Sequence, residues 1–285
     1  MITLDTIIPS TLREALKAKA GKNVVAIAGG TDILVKLHDR FEKPWPKLLV
    51  LDQIEALHKI AINKNEIVIG PLTTFSEIED SKILHRHALQ LVEAASLAGS
   101  AQIRNRATIG GNIANGSPAG DTIPPLYVLG AMLELSSVKA KRLVPIEKFF
   151  KGPGQTVLKS NELITAIKMP KSINHGFFLR LATRRALAIS KISVAASFTL
   201  RRGAIDYIRI ALGAVAPTVI RAVKTEDYLM GKSLDNDIIE NAASLVKDEA
   251  RPIDDIRSIA IYRKEMVAVL LKRGLNQIRK SLSNA

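Results

Sequence analysis

The sequence predicts an α+β protein in which an α/β region is followed by a small domain with an antiparallel sheet and helices. Three observations carry this. Strand and helix signals alternate through the first third of the chain. A polar, glycine-rich segment from Gly99 to Asp121 interrupts the alternation and is too long for an ordinary connection. Beyond Ser190, two apolar runs flank Arg201-Arg202-Gly203-Ala204, the composition of a β-hairpin turn, and helical periodicity closes the chain.

The elements follow in order. Thr11-Leu12-Arg13-Glu14 is a capping box, in which hydroxyl and carboxylate each satisfy a free backbone N–H, and it opens a helix through about Ala20. Val24 to Ala28 reads as a buried strand that ends at a glycine pair. Ile33 to Leu37 begins a short helix, and Lys47 to Leu51 is the next strand. Trp45, between Pro44 and Pro46, is a packing anchor. Leu57 to Ile62 and Glu66 to Ile69 form a hairpin across Asn63-Lys64-Asn65. Thr74-Phe75-Ser76-Glu77 is a second capping box, and Leu89 to Ala98 repeats apolar residues at helical spacing. After Pro124-Pro125, Leu126 to Ala131 reads as helix and Met132 to Ser136 as strand. Val157-Leu158, Leu163 to Ile167 and Gly176 to Leu181 are further strands. The hairpin arms are Ile192 to Leu200 and Ile205 to Gly213. Helices follow around Ala222 to Leu229, Asp237 to Glu249 and Tyr262 to Leu282. A domain boundary falls near Pro170 to His175.

Composition narrows the function. With 285 residues and 47% hydrophobic content, the chain can bury a sizeable core. Apolar runs such as Val128 to Leu133 are far short of the roughly 18 residues that a membrane span needs, so no span is expected. Met1-Ile2-Thr3-Leu4-Asp5 lacks the pattern of a signal peptide, which points to the cytoplasm. With no cysteine, the chain forms no disulfide and holds no iron–sulfur cluster through thiolates of its own. The net charge of +14 favours anionic partners. The cations are spread, in small clusters such as Lys139-Lys141-Arg142 and Arg184-Arg185, and aromatic residues make up 4% of the chain. Nucleic-acid binding by base stacking is therefore not expected.

Two glycine loops carry the chemistry. Ala28-Gly29-Gly30-Thr31-Asp32 joins a strand to a helix. A phosphate would sit on the N–H groups of Gly29, Gly30 and Thr31, with the Thr31 hydroxyl as a further donor. The competing reading is a tight turn that binds nothing. Thr108-Ile109-Gly110-Gly111-Asn112 begins the second run, which ends at Asp121. Gly110 and Gly111 let the backbone pass close to a ligand and expose N–H groups to an anion. Asp121 suits a sugar hydroxyl, because a carboxylate accepts hydrogen bonds and repels phosphate. Here the competing reading is a structural loop whose glycines serve turns. Together the loops would clamp the two ends of one diphosphate. Other chemistries lack their patterns: the chain has no Gly-x-Gly-x-x-Gly fingerprint, no Walker loop and no Gly-x-Ser-x-Gly elbow. His38, His58, His85, His87 and His175 show no metal-ligand spacing, so no metal site is expected.

Both loops, in this order, resemble those of the FAD-binding subunit of the molybdenum hydroxylase family, which includes xanthine dehydrogenase and aerobic carbon monoxide dehydrogenase. The resemblance continues through Gln102-Ile103-Arg104-Asn105, Arg142-Leu143-Val144-Pro145, Phe149-Phe150-Lys151-Gly152 and Glu162-Leu163-Ile164. It extends through Arg184-Arg185, Ala188-Ile189-Ser190-Lys191, Ile210-Ala211-Leu212-Gly213 and Tyr262-Arg263. It implies an FAD-binding domain of the vanillyl-alcohol-oxidase (PCMH) type over residues 1–172, in two α/β subdomains of roughly 1–55 and 56–172. Residues 173–285 would form a C-terminal domain of the carbon monoxide dehydrogenase flavoprotein type.

By position, the resemblance implies that Ala26, Ile27, Ala28, Gly29, Gly30, Thr31, Asp32 and Ile33 surround the diphosphate and ribityl chain, together with Thr108, Ile109, Gly110, Gly111 and Asn112. Asp121 would hold a cofactor hydroxyl and Ile164 would contact the isoalloxazine region. Arg180 stands where relatives often have lysine near the ring, and its planar guanidinium changes the geometry. The FAD would be non-covalent. No residue of this chain would act as catalyst, since the flavin carries the chemistry. A molybdopterin-binding large subunit and a 2Fe–2S small subunit would be the partners, in a dimer of heterotrimers. Electrons would pass from the cluster to this flavin and on to an external acceptor. Some relatives carry an extra cluster in this subunit, which zero cysteines exclude here. The alternatives are a stand-alone FAD-dependent reductase, which would turn over an acceptor with NADH unaided, and a flavin-free nucleotide-binding or scaffold module, which would stay colourless with FAD.

Overall fold

A computed structural model describes residues 5–38, 45–184 and 187–283. The side chain of His38, and Pro44 and Arg185, singled out above, lie outside the described residues. The described residues open with β1 (Thr6–Ile7), α1 (Leu12–Lys19), β2 (Val24–Ile27), α2 (Ile33–His38) and β3 (Lys47–Val50). These strands make a parallel sheet with β3 in the middle. Thr11 and Glu14 cap α1 reciprocally, as the sequence predicts. The helix buries Ala15 and Leu16 against Val24 and Leu49 of the sheet. Trp45 packs with Ile27 and Leu48.

Next come β4 (Ile60–Asn63) and β5 (Glu66–Ile69), joined by a turn that places Lys64 at φ 55°. The helices α3 (Phe75–Asp80), α4 (Lys82–His87), α5 (Leu89–Leu97), α6 (Ala101–Arg104), α7 (Ile109–Asn115) and α8 (Ile123–Val128) follow. Strands β6 (Met132–Ser136), β7 (Lys141–Pro145), β8 (Phe150–Gly152), β9 (Gln155–Thr156) and β10 (Leu163–Pro170) complete this part. Five of them form an antiparallel sheet in the order β4-β5-β10-β6-β7, and β8 and β9 pair separately. The helices cover one side of the sheet and bury Phe75, Ile78, Leu91, Ile113 and Leu126 against Ile67, Leu133 and Ile167.

The third part holds β11 (His175–Ala182), β12 (Ser190–Arg201), β13 (Ala204–Gly213) and β14 (Ile220–Arg221), an antiparallel sheet in chain order. Arg202 and Gly203 turn the central hairpin at φ 52° and 81°, the consecutive positive angles that match strand twist. Helices α9 (Val223–Leu229), α10 (Asn236–Glu249) and α11 (Ala260–Ser283) back this sheet. Ile239, Val246, Val267 and Leu271 pack on Phe177, Val194 and Ile210. The other face meets the preceding part, because Phe178, Ala195 and Ala211 belong to the same core as Phe149 and Leu126. Glu147 receives Arg209 and Arg221, each at 3.6 Å, across that seam.

Four readings need correction. The segment from Gly99 to Asp121 is not a structureless connection, for it contains α6 and α7. Ser100 and Thr108 cap these helices, and Gly116 ends α7 at φ 62°. Val157-Leu158 is not a strand: the pair β8/β9 stops at Thr156, and the Val157 N–H turns back to the Phe149 carbonyl. Leu57 lies in a 3₁₀ turn before β4. Pro124 and Pro125 sit inside the first turn of α8, where no intrahelical N–H is required.

Candidate cofactor-binding cleft

The site lies where the parallel sheet meets the antiparallel one. Strand β2 ends at Ile27, and the chain turns through Ala28 to Asp32 into α2. Gly30 stands at φ 77°, a conformation that strains any residue with a Cβ. Gly29 serves a different need. A Cβ there would stand 1.6 Å from the carbonyl oxygen of Arg106, just before the second loop. The two loops therefore touch backbone to backbone.

The second loop is braced from within. The Ile109 N–H donates to the Thr73 carbonyl at 3.0 Å, and that of Gly110 to Pro71 at 2.8 Å. The Gly111 N–H donates to the Thr108 hydroxyl at 3.1 Å, and that of Asn112 to the Thr108 carbonyl at 3.0 Å. Gly110 is required by Pro71, whose Cβ a new methyl would approach to 2.5 Å. The Asn112 carboxamide oxygen accepts from the Thr122 hydroxyl at 2.8 Å. The expectation that this loop offers open N–H groups to an anion does not hold, because each of those groups is already bonded. In the first loop the N–H groups of Gly29, Gly30, Thr31 and Asp32 have no hydrogen-bond partner among the described residues. The two loops thus differ: the N–H groups of the second are used within the protein, and among the described residues those of the first are not.

Between the loops lies a cleft of about 770 Å³, within the roughly 300–1,000 Å³ usual for small-molecule sites. Ala26, Ala28, Gly29, Gly30, Thr31, Asp32, Ile33, Thr108, Gly110, Gly111, Asn112 and Ile164 all line it. Ile164 is on β10, next to an irregularity in its pairing with β6. Four expected residues lie outside the lining. Ile27 and Ile109 point into the core. Asp121 and Arg180 are buried together. The Arg180 guanidinium donates to Asp121 Oδ2 at 2.6 Å, to the Ala188 carbonyl at 3.3 Å and to the Leu97 carbonyl at 2.5 Å. The Ser190 hydroxyl donates to Asp121 Oδ1 at 2.6 Å. Burial pushes the Asp121 carboxyl upward, and the Arg180 charge opposes that push. Both carboxylate oxygens are thus committed to protein partners.

Sequence reasoning overlooked two lining cations, Lys19 and Lys36. Lys36 carried a readable signal, since it stands four positions after Asp32 on the same helical face and pairs with it at 2.7 Å. Glu162, also on the wall, is gripped by Arg142 through two bonds of 2.8 Å, which hold its carboxyl below the ordinary range. Among the described residues no cluster of three potential metal ligands occurs. The rings of His58, His85 and His87 each contact a backbone carbonyl, at 3.0, 2.8 and 2.9 Å. No helix of the described residues is long and apolar enough to cross a membrane.

Comparison with known proteins accords with this geometry. The family model described as the FAD binding domain in molybdopterin dehydrogenase matches residues 2–172. That of the CO dehydrogenase flavoprotein C-terminal domain matches 177–278. The chain is 32% identical to the glyceraldehyde dehydrogenase medium chain of Sulfolobus acidocaldarius, over 94% of this chain and 95% of that one. It is 30% identical to the xanthine dehydrogenase FAD-binding subunit of Escherichia coli O157:H7, over 94% and 93%. A chain of the carbon monoxide dehydrogenase structure from Hydrogenophaga pseudoflava superposes with a TM-score of 0.91 at 30% identity, over 97% of this chain and 98% of that one.

Proposed function

This chain belongs to the family of FAD-binding subunits of molybdenum hydroxylases, and from that premise we propose how its own residues serve that role. As a flavoprotein subunit of a molybdopterin-dependent dehydrogenase, it binds FAD and takes part in electron transfer. Bound FAD supplies the exchange of one or two electrons. The protein supplies binding, orientation and electrostatics.

The open N–H groups of Gly29 to Asp32 hold the diphosphate, with the Thr31 hydroxyl beside them. The braced second loop, Thr108 to Asn112, fixes the width of the cleft. Ile164 forms an apolar wall for the ring system. Asp121 acts by holding Arg180, with Ser190 fixing its second oxygen, rather than by reaching the cofactor from the cleft wall. The row of N–H groups at Gly29 to Asp32, in the cleft lining and without a hydrogen-bond partner among the described residues, is the observation that supports this reading. FAD is held without a covalent bond.

Residues 1–172 act as the FAD-binding domain, with subdomains of roughly 1–55 and 56–172, and residues 173–285 as the C-terminal domain. The separate parallel, five-stranded and four-stranded sheets support that division. Relatives are named as medium chains, so partner chains belong to the reading. A molybdopterin-binding large subunit and a 2Fe–2S small subunit are the partners, in a dimer of heterotrimers in the cytoplasm. The chain then links the cluster to an external acceptor.

Titration of the flavin-stripped full chain with FAD tests the reading, with Gly111→Val as the probe variant. Gly111 faces the cleft, and its N–H caps α7 through Thr108. The wild type takes up FAD and turns yellow; the variant does not, while its C-terminal sheet stays folded. A variant that remains yellow overturns the placement.

A further inference from the structure

We infer that Lys36 completes the clamp: its ammonium, placed between the two walls of the cleft, is the cation that neutralises a diphosphate held at the first loop. This rests on the FAD reading above and adds a residue to it.

Lys36 lies on α2, one turn beyond the glycine turn, and lines the cleft. Its Nζ stands 2.7 Å from Asp32 Oδ2 and donates to Asn115 Oδ1 at 2.5 Å. Asn115 is the last residue of α7, on the opposite wall. One ammonium thus reaches both sides. An ammonium carries three protons. Two are used here, and the third has no partner among the described residues.

The charge balance points the same way. Among the described residues, the ionisable groups lining the cleft are Lys19, Asp32, Lys36 and Glu162. Glu162 is already neutralised by Arg142. Lys19 gives its Nζ to the Val24 carbonyl at 2.7 Å, and burial lowers its pKa. Among the described residues, Lys36 is therefore the lining cation left for an anion at the open N–H groups. A diphosphate there would face the Asp32 carboxylate, and without a cation between them the two anions repel. The Lys36–Asp32 pair is exposed at 60% and 51%. Such a pair adds little to stability by itself, so little is lost when Nζ shares its bonds with a ligand.

The test uses the flavin-stripped full chain, titrated with FAD and separately with riboflavin, which has no diphosphate, and followed by flavin fluorescence. Lys36→Gln weakens FAD binding about 10-fold or more, the scale of a lost charge-assisted hydrogen bond. Riboflavin affinity and the melting temperature of the flavin-free chain stay unchanged. Lys36→Arg keeps most of the FAD affinity. Rising salt weakens FAD binding more steeply in the wild type than in Lys36→Gln. Equal FAD affinity in Lys36→Gln and wild type overturns the inference and leaves the FAD reading standing. Parallel loss of FAD and riboflavin also overturns it, since Lys36 would then only brace the walls. A wild-type chain that takes up no FAD overturns the cofactor reading itself.

Discussion

Gly29→Ala adds one methyl group at the tightest contact of the site. The new Cβ would stand 1.6 Å from the Arg106 carbonyl oxygen, 2.5 Å from its carbon and 3.1 Å from the Ala107 nitrogen. All three are backbone atoms, so no rotamer change relieves them. Non-bonded heavy atoms rest at about 3.5 Å, so from a starting distance of 1.6 Å the loops must part by about 2 Å. Overpacking of this kind costs about 1–3 kcal/mol, and with backbone on both sides the upper end applies. A loss of about 3 kcal/mol lowers Tm by roughly 6–12 °C for a unit of this size. The same displacement misaligns the open N–H groups, so FAD affinity falls as well. Calorimetry and FAD titration measure the two effects. Gly111→Ala is the reference, because its Cβ meets only the Thr108 hydroxyl, at 3.0 Å. If Gly29→Ala melts within about 2 °C of the wild type and binds FAD equally well, the loop-on-loop contact is not what demands glycine.

Two further predictions follow from buried and paired charges. Asp121→Asn leaves the Arg180 guanidinium buried without its counter-charge, and should cost about 3 kcal/mol; an unchanged urea midpoint would show that the pair does not hold this region. The Arg263 guanidinium, 2.5 Å from Asp255, holds that carboxyl down from an ordinary 3.8 to about 2. A depressed carboxylate pKa gives stability that is fully present above the unfolded value and lost as pH falls through the folded one. The wild type should therefore lose stability between pH 3.8 and about 2 more steeply than Asp255→Asn, and parallel urea midpoints across that window would refute the pairing.

Local signals were legible in the chain. Both capping boxes form as read, because hydroxyl and carboxylate lie three positions apart and need no distant partner. The hairpin at Arg202-Gly203 was readable for the same reason. The glycine loops were recognisable as a pair, but not the separate reasons for their glycines. Gly29 answers to Arg106, and Gly110 to Pro71, and neither contact is visible before folding. The helices α6 and α7 escaped because they are short, and α7 also contains a glycine pair. They depend on caps from Ser100 and Thr108 and on the bonds of Ile109 and Gly110 to Thr73 and Pro71. Asp121 was read as facing the cofactor because its partners, Arg180 and Ser190, lie 59 and 69 positions away. A carboxylate in a polar loop does not announce a buried cation from another sheet.

The shared core between the five-stranded and four-stranded sheets bears on how the molecule comes apart. Phe178, Ala195 and Ala211 fill the same interior as Phe149 and Leu126, and Glu147 is bound by arginines from across the seam. The matched segments 2–172 and 177–278 meet in sequence at a short connection, but the core of the five-stranded sheet runs across it. Cleavage within that connection would not liberate a free-standing flavin module, and heat should melt the whole in one cooperative transition. A ligand in the cleft then protects α10 and α11 against unfolding by mass action, although it touches neither helix.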